Sequence, residues 1–309
     1  MSIVIIRNDN KSMAWKEAFL KADPDLEIYT YDEAHDPGEI SMAMVWKPPH
    51  GVLSEYPALQ AIASLGAGVD FLFEDEALPE GVPITRVVDP VLAADMSEFV
   101  IGVILAHIKN LLVFKQLQPQ RKWQPMEYRR INEVTVGIMG LGELGTQLAG
   151  DLVRFGFNVR GWARSEKSMT GVYCFAGDKD LASFLSGTEL LVCLLPLTPA
   201  TLGILNKKLF AKLPQGAYVI NVARGGHLVE EDLLEVLDQG QLSGAFLDVF
   251  AQEPLPEDHP FWQHPKIDMS PHIASVSDVN SVVPQLLDNY RRLEKGQPLQ
   301  NLVSKSRGY

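Results

Sequence analysis

Val134-Thr-Val-Gly-Ile-Met139 runs directly into Gly140-Leu-Gly142-Glu-Leu-Gly145, a helical pattern follows, and a second strand-like run begins at Asn158. A lone GxGxxG says little, but strand before, helix after and strand again is the setting of a dinucleotide-binding βαβ unit. Each glycine then has its own task. Gly140 permits the tight turn, Gly142 lets the backbone approach a pyrophosphate, and Gly145 lets helix and strand pack closely. Leu141, Glu143 and Leu144 complete a turn whose free N–H groups sit at the positive end of the helix dipole.

The next strand chooses the cofactor. NAD-binding versions place an acid ~20 residues beyond the glycines to bond the ribose hydroxyls. Here the text is Val159-Arg-Gly-Trp-Ala163-Arg164-Ser165-Glu-Lys167, with Ala163 in place of the acid. A 2′-phosphate needs charge-assisted donors, and Arg164, Ser165 and Lys167 supply them. The reading is NADPH, with NADH as a less favoured alternative.

Working outward, further strands are expected at Ala217–Val222, Gly244–Val249, Leu190–Leu195 and Ile267–Ser270, and a long helix at Asp278–Glu294. Towards the N-terminus, Ser2–Ile6, Leu26–Tyr29, Met42–Trp46 and Ala61–Leu65 alternate with helical text such as Ser12–Lys21. Alternating β and α implies parallel sheets covered by helices, and 309 residues suit two domains. Asp95-Met-Ser-Glu98 has the form of a capping box, opening a helix with an apolar stripe from Phe99 to Leu112. His107 on that stripe reads as a hydrogen-bonded core histidine. The polar text of residues 116–132 reads as a connection between domains.

The net charge of −12 opposes binding to nucleic acid or to an anionic membrane. An anionic substrate must therefore meet locally placed cations. Cys174 and Cys193 form no CxxC pair and no zinc spacing, so neither a disulfide framework nor a metal site is expected. A reducing cytoplasm fits, with no signal peptide in MSIVIIRNDN and no run long enough for a membrane span.

Ligands of open parallel sheets bind beyond the carboxyl ends of the strands. Three strands end on chemistry there: Arg224 after Ala217–Val222, Asp248 at the end of the next, and His272 after Ile267–Ser270, with Glu253 in the loop between. Reducing a 2-keto acid needs a cation for carboxylate and carbonyl, a proton donor, and a group that keeps the donor protonated. Arg224, His272 and Glu253 meet these needs in turn. Asp248 suits the nicotinamide carboxamide, and Pro196 and Ala223 complete the cofactor set. His227, His259 and His264 compete with His272 but do not lie at a strand's carboxyl end.

The ordered motifs GLGELG, LLPLTPAT, NVARGG, LDVFAQEPLP and SPHIAS resemble the D-isomer-specific 2-hydroxyacid dehydrogenase family, along essentially the whole chain. VWKPP, LGAGVD, GWARS, FWQHP and RGY resemble its glyoxylate- and hydroxypyruvate-reducing members. The resemblance implies two doubly wound domains, flavodoxin-like and Rossmann-like, with the active site in the cleft between them. A substrate domain of residues 1–97 plus 277–309 would flank a nucleotide domain of residues 98–276, through which such proteins dimerise. It also implies Arg224, Glu253 and His272 as the catalytic set, with Leu65, Gly66, Ala67 and Gly68 forming an anion nest at the substrate carboxylate. Trp46 joins the substrate residues, and Trp46, Met96 and Trp262 are candidates for limiting the pocket. The implied activity reduces glyoxylate to glycolate and hydroxypyruvate to D-glycerate. The alternatives are a bulkier 2-keto acid, or a nicotinamide-sensing binding protein on the same fold.

Overall fold

Parallel strands buried on both faces need near-continuous apolar runs, and the chain supplies two sets of them. The computed structural model describes residues 1–305 and 307–309 and divides them into two units, Met1–Val91 with Ser277–Tyr309, and Leu92–Val276. In the first unit β1 (Ser2–Arg7), β2 (Ile28–Thr30), β3 (Ile40–Trp46), β4 (Ala61–Ser64) and β5 (Ile84–Thr85) form a parallel sheet of order β2-β1-β3-β4-β5. That is the flavodoxin-type winding. The helices Ser12–Ala22 and Val279–Glu294 cover one face through Trp15, Phe19, Val283 and Leu287. Asp278 caps the second helix by accepting from the N–H groups of Asn280 and Ser281.

The second unit contains β6 (Thr135–Met139), β7 (Asn158–Ala163), β8 (Val172–Ala176), β9 (Leu190–Cys193), β10 (Ala217–Asn221), β11 (Leu242–Leu247) and β12 (Ile267–Met269). All pair in parallel in the order β12-β11-β10-β9-β6-β7-β8. Direction of winding reverses between β6 and β9, the switch point where a Rossmann sheet opens its ligand crevice. Strand β8 has no counterpart among the strands expected from the sequence. It is an edge strand with Tyr173 74% exposed, so its text lacks the apolar run of a central strand.

Two boundaries differ from the sequence reading. The long helix is Pro90–Ile108, so Asp95 and Glu98 lie inside it and form no capping box. Its start is set by Asp89, whose Oδ1 accepts the Val91 N–H at 3.0 Å, and by Pro90, which needs no partner at the first helical position. The units accordingly divide at Leu92 rather than at residue 98. The polar stretch 116–132 lies wholly within the second unit and is not a connection between units. Helix Pro90–Ile108 is long and apolar enough to cross a membrane by composition, and half of that window is buried. Val100, Ile104 and Ile108 pack on Val136, Ile138 and Ile220.

Candidate active site

The glycine turn follows β6 at the switch point. Gly140 has φ +107°, and a Cβ there would meet the Leu194 carbonyl oxygen at 2.6 Å. A Cβ on Gly145 would lie 1.8 Å from the Gly140 oxygen, whereas a Cβ on Gly142 meets nothing within 4 Å. So the first and third glycines are required by the protein itself, and the space beside the second is open. Helix Glu143–Phe155 begins here with no side chain capping its first amides. Free amides, open space and the dipole's positive end fit a pyrophosphate. Ala163 closes β7, and Arg164, Ser165 and Lys167 follow it on an exposed loop.

Three adjacent strands place the other candidates. Asn221, Leu247 and Met269 are in register across β10, β11 and β12. Arg224, Asp248 and His272 therefore leave the same edge of one sheet. Asp248, almost fully buried, does more here than the sequence suggested. Its Oδ1 accepts from the Ser270 hydroxyl at 2.5 Å and the Ile273 N–H at 2.9 Å, its Oδ2 from the Ala274 N–H at 2.9 Å. The His272 N–H donates to its carbonyl at 2.8 Å. These bonds hold His272 at φ +54°, a left-handed conformation that costs a non-glycine residue of order 1 kcal/mol.

The aimed imidazole meets a carboxylate. His272 Nδ1 lies 2.8 Å from Glu253 Oε2, and Glu253 Oε1 accepts the Phe250 N–H at 3.2 Å. With Nδ1 so engaged, Nε2 makes no hydrogen bond among the described residues, and the ring is about one-third exposed. Arg224 is half-buried and its Nη1 donates to the Ala223 carbonyl at 2.7 Å. Its neighbour Gly225 lies against the Phe250 backbone so closely that a Cβ would stand 1.8 Å from the Phe250 carbonyl carbon. That contact brings the arginine's loop onto the loop that carries Glu253. Beside the His272 turn is a cavity of about 440 Å³, lined by Asp95, Glu98, Phe99 and residues 273–276.

The competing histidines have other partners. His227 is fully buried between two carbonyl oxygens. His259 and His264 each accept a backbone N–H on Nδ1 and turn Nε2 to a carboxylate, Glu230 and Asp238 respectively. His107 stacks on Tyr218 with ring centroids 3.9 Å apart, and burial, with a smaller contribution from Arg129, lowers its pKa to about 4. No hydrogen bond to its ring is found among the described residues, so the contact is aromatic.

In the first unit, residues 65–69 leave the end of β4. Ser64 Oγ donates to the Gly68 carbonyl at 2.8 Å and accepts the Gly66 N–H at 3.3 Å. Leu65 donates to Val45, while the Ala67 and Gly68 amides carry no hydrogen bond among the described residues. Trp46 lies on Gly66, where a Cβ would come within 2.5 Å of its ring. Met96 is buried in the core of the second unit, and Trp262 is over half exposed with Nε1 donating to the Pro256 carbonyl.

Comparison with known proteins gives the same outline. The NAD binding domain of the D-isomer specific 2-hydroxyacid dehydrogenases matches residues 101–274. Glyoxylate/hydroxypyruvate reductase A of Serratia proteamaculans is 41% identical over 314 residues, covering 100% of both proteins. A D-isomer specific 2-hydroxyacid dehydrogenase from Xanthobacter autotrophicus, solved with NADPH and MES, superposes with a TM-score of 0.95 at 40% identity, covering 100% of this chain and 99% of that one. The NADPH-dependent glyoxylate/hydroxypyruvate reductase of Sinorhizobium meliloti, solved with NADP and sulfate, gives 0.94 at 38% identity over 100% of both chains. With strand order, glycine turn and relatives in agreement, the chain belongs to the D-isomer specific 2-hydroxyacid dehydrogenase family.

Proposed function

We propose that this protein reduces small 2-keto acids with NADPH, glyoxylate to glycolate and hydroxypyruvate to D-glycerate. The observation that carries the reading is the 2.8 Å His272–Glu253 pair, on the same sheet as the glycine turn. When bound, NADPH supplies a hydride to the keto carbon. His272 gives the Nε2 proton to the oxygen that becomes the hydroxyl, and Glu253 holds and orients the ring through Nδ1. The Arg224 guanidinium receives the carboxylate and polarises the carbonyl with a planar fork. Within the first unit, the Ala67 and Gly68 amides, which carry no hydrogen bond among the described residues, form an anion receptor of the kind a carboxylate fills.

On the cofactor side, residues 140–145 take the pyrophosphate, and Arg164, Ser165 and Lys167 take the 2′-phosphate. Pro196 and Ala223 lie along the same strand ends. Three of the roughly four lone-pair sites of the Asp248 carboxylate are used within the turn. The remaining one is an acceptor for the nicotinamide amide. Trp46, whose ring presses on Gly66, is the candidate in the first unit for limiting the size of the acid.

The same reading makes the protein a cytoplasmic homodimer joined through the second unit. Support comes from its exposed apolar side chains, Leu111, Phe114, Trp123 and Tyr128, of which Trp123 is 96% exposed. The stripe from Phe99 to Ile108 is largely core, so the interface starts at Leu111. Light scattering at micromolar concentration should give twice the chain mass, and a monomer refutes this part.

The main test mixes purified protein, NADPH and a panel from glyoxylate to phenylpyruvate. Glyoxylate and hydroxypyruvate should be the best substrates, and His272→Ala should lose about 10²–10⁴-fold in turnover with NADPH still bound. NADPH binding without oxidation by any 2-keto acid would make the protein a sensor instead.

A further inference from the structure

We infer that His227 is a positioning residue whose ring ties the carbonyl of Pro196 to the loop of Arg224, so that the cofactor-side turn and the substrate arginine hold one register. The function assigned to Arg224 rests on the reductase reading above; the linkage itself rests on geometry.

His227 is fully buried, in the short turn Gly225–His227 directly after Arg224. Its Nδ1 lies 3.1 Å from the Arg224 carbonyl oxygen and its Nε2 3.3 Å from that of Pro196. Pro196 follows β9 and Arg224 follows β10, so the ring spans two adjacent strand ends. Backbone bonds zip the segments further out: Gly203 N–H to Gly226, Leu205 N–H to His227, and Val229 N–H to Leu205, at 2.8–3.0 Å. None of these reaches back to Pro196. The ring does.

A ring that only filled space would not turn both nitrogens to oxygen acceptors. A neutral imidazole has one N–H to give, so the two contacts are not equivalent. The Arg224 oxygen already accepts the His227 amide at 3.2 Å and the Asn221 side-chain amide at 3.0 Å, which fills its two lone pairs. The Pro196 oxygen has one strong donor, the Thr201 hydroxyl at 2.6 Å, and room for a second. The contact that joins the two segments is therefore Nε2 to the Pro196 oxygen. The Leu197 side chain rests on Gly226, where a Cβ would meet it at 3.1 Å, so a displaced turn would push on the arginine's loop.

Gln places an amide near the Nε2 position and Asn near Nδ1, while Phe keeps the ring and removes both donors. NADPH affinity by fluorescence, and kcat and KM for glyoxylate, are measured for His227→Gln, His227→Asn and His227→Phe, with circular dichroism as a check on folding. Gln should stay within about threefold of wild type. Asn and Phe should lose about tenfold in NADPH affinity and raise the glyoxylate KM by as much, the size of one buried hydrogen bond. A Phe variant that matches wild type, or folded Asn and Gln variants that lose equally, would overturn the assignment. If the wild type binds NADPH but does not reduce glyoxylate, the reductase reading fails. The difference between Gln and Asn in NADPH affinity then still decides the linkage.

Discussion

Replacing Gly145 with Ala separates what the glycine turn does for the fold from what it does for the cofactor. The new Cβ would stand 1.8 Å from the Gly140 carbonyl oxygen and 2.9 Å from its carbon. Carbon and oxygen without a hydrogen bond sit comfortably near ~3.3 Å, so turn and helix must part by more than an ångström. The obstructing atom is backbone, which no rotamer change can move aside. The loss from such overpacking is about 1–3 kcal/mol, and cofactor affinity should fall with it because the first-turn amides are re-aimed. Gly142→Ala is the contrast, since nothing lies within 4 Å of its Cβ and its φ of −82° suits alanine. That variant should keep its melting temperature and still lose NADPH binding, because its methyl would enter the space proposed for the pyrophosphate. Thermal unfolding and fluorescence titration of both variants give the answer. A Gly145→Ala protein with wild-type stability, or a Gly142→Ala protein with wild-type affinity, would refute the reasoning.

Arg164→Ala should weaken NADPH by about 10- to 100-fold, the ~1.5–3 kcal/mol of a charge-assisted bond, and leave NADH unchanged; equal losses with both cofactors would remove Arg164 from the 2′-phosphate. Arg224→Lys keeps the charge but not the fork, and kcat/KM for glyoxylate should drop about 10²-fold or more, whereas near-wild-type kinetics would make the arginine structural. His107 is held neutral in the folded chain down to about pH 4, mainly by burial, while the unfolded chain protonates it near ~6.5. Unfolding therefore takes up a proton between those values, and stability conferred above pH ~6.5 is lost as pH falls, by up to ~2–3 kcal/mol. His107→Phe, which keeps the stack on Tyr218, should show a smaller loss in urea stability between pH 7 and pH 4.5 than wild type, and parallel curves would contradict the assignment.

What could be read from the sequence was what side-chain identity determines. Central strands buried on both faces announce themselves as apolar runs, and β6, β9, β10 and β11 were placed to within about two residues. The glycine turn was legible because steric demand is written directly in the absence of a side chain. Edge strand β8 and the two-residue β5 carry no such pattern. Asp95-x-x-Glu98 reads as a helix opening, but the helix begins at Pro90, where Asp89 accepts the Val91 N–H and Leu92 and Ala93 are buried. The bracing of the His272 turn by Asp248, and the place of the His227 ring between two carbonyl oxygens, are hidden for a different reason. Apart from the Ser270 hydroxyl, the partners of these two side chains are backbone N–H and C=O groups, which every residue has and no residue type betrays.

The first unit is made of two stretches separated by all of residues 92–276. Its last long helix closes on the beginning of the chain: the Tyr290 hydroxyl donates to the Met1 carbonyl, and Arg291 pairs with Asp23. On the ribosome, then, the order of completion differs from the order of synthesis. At ~5–20 residues per second the second unit takes roughly 10–40 s to emerge. Through that interval the first ninety-one residues wait with Trp15, Phe19, Ile3 and Ile5 lacking the helix that covers them. The unit begun first is finished last, and nascent chains stalled before residue 279 should bind chaperones through their N-terminal segment.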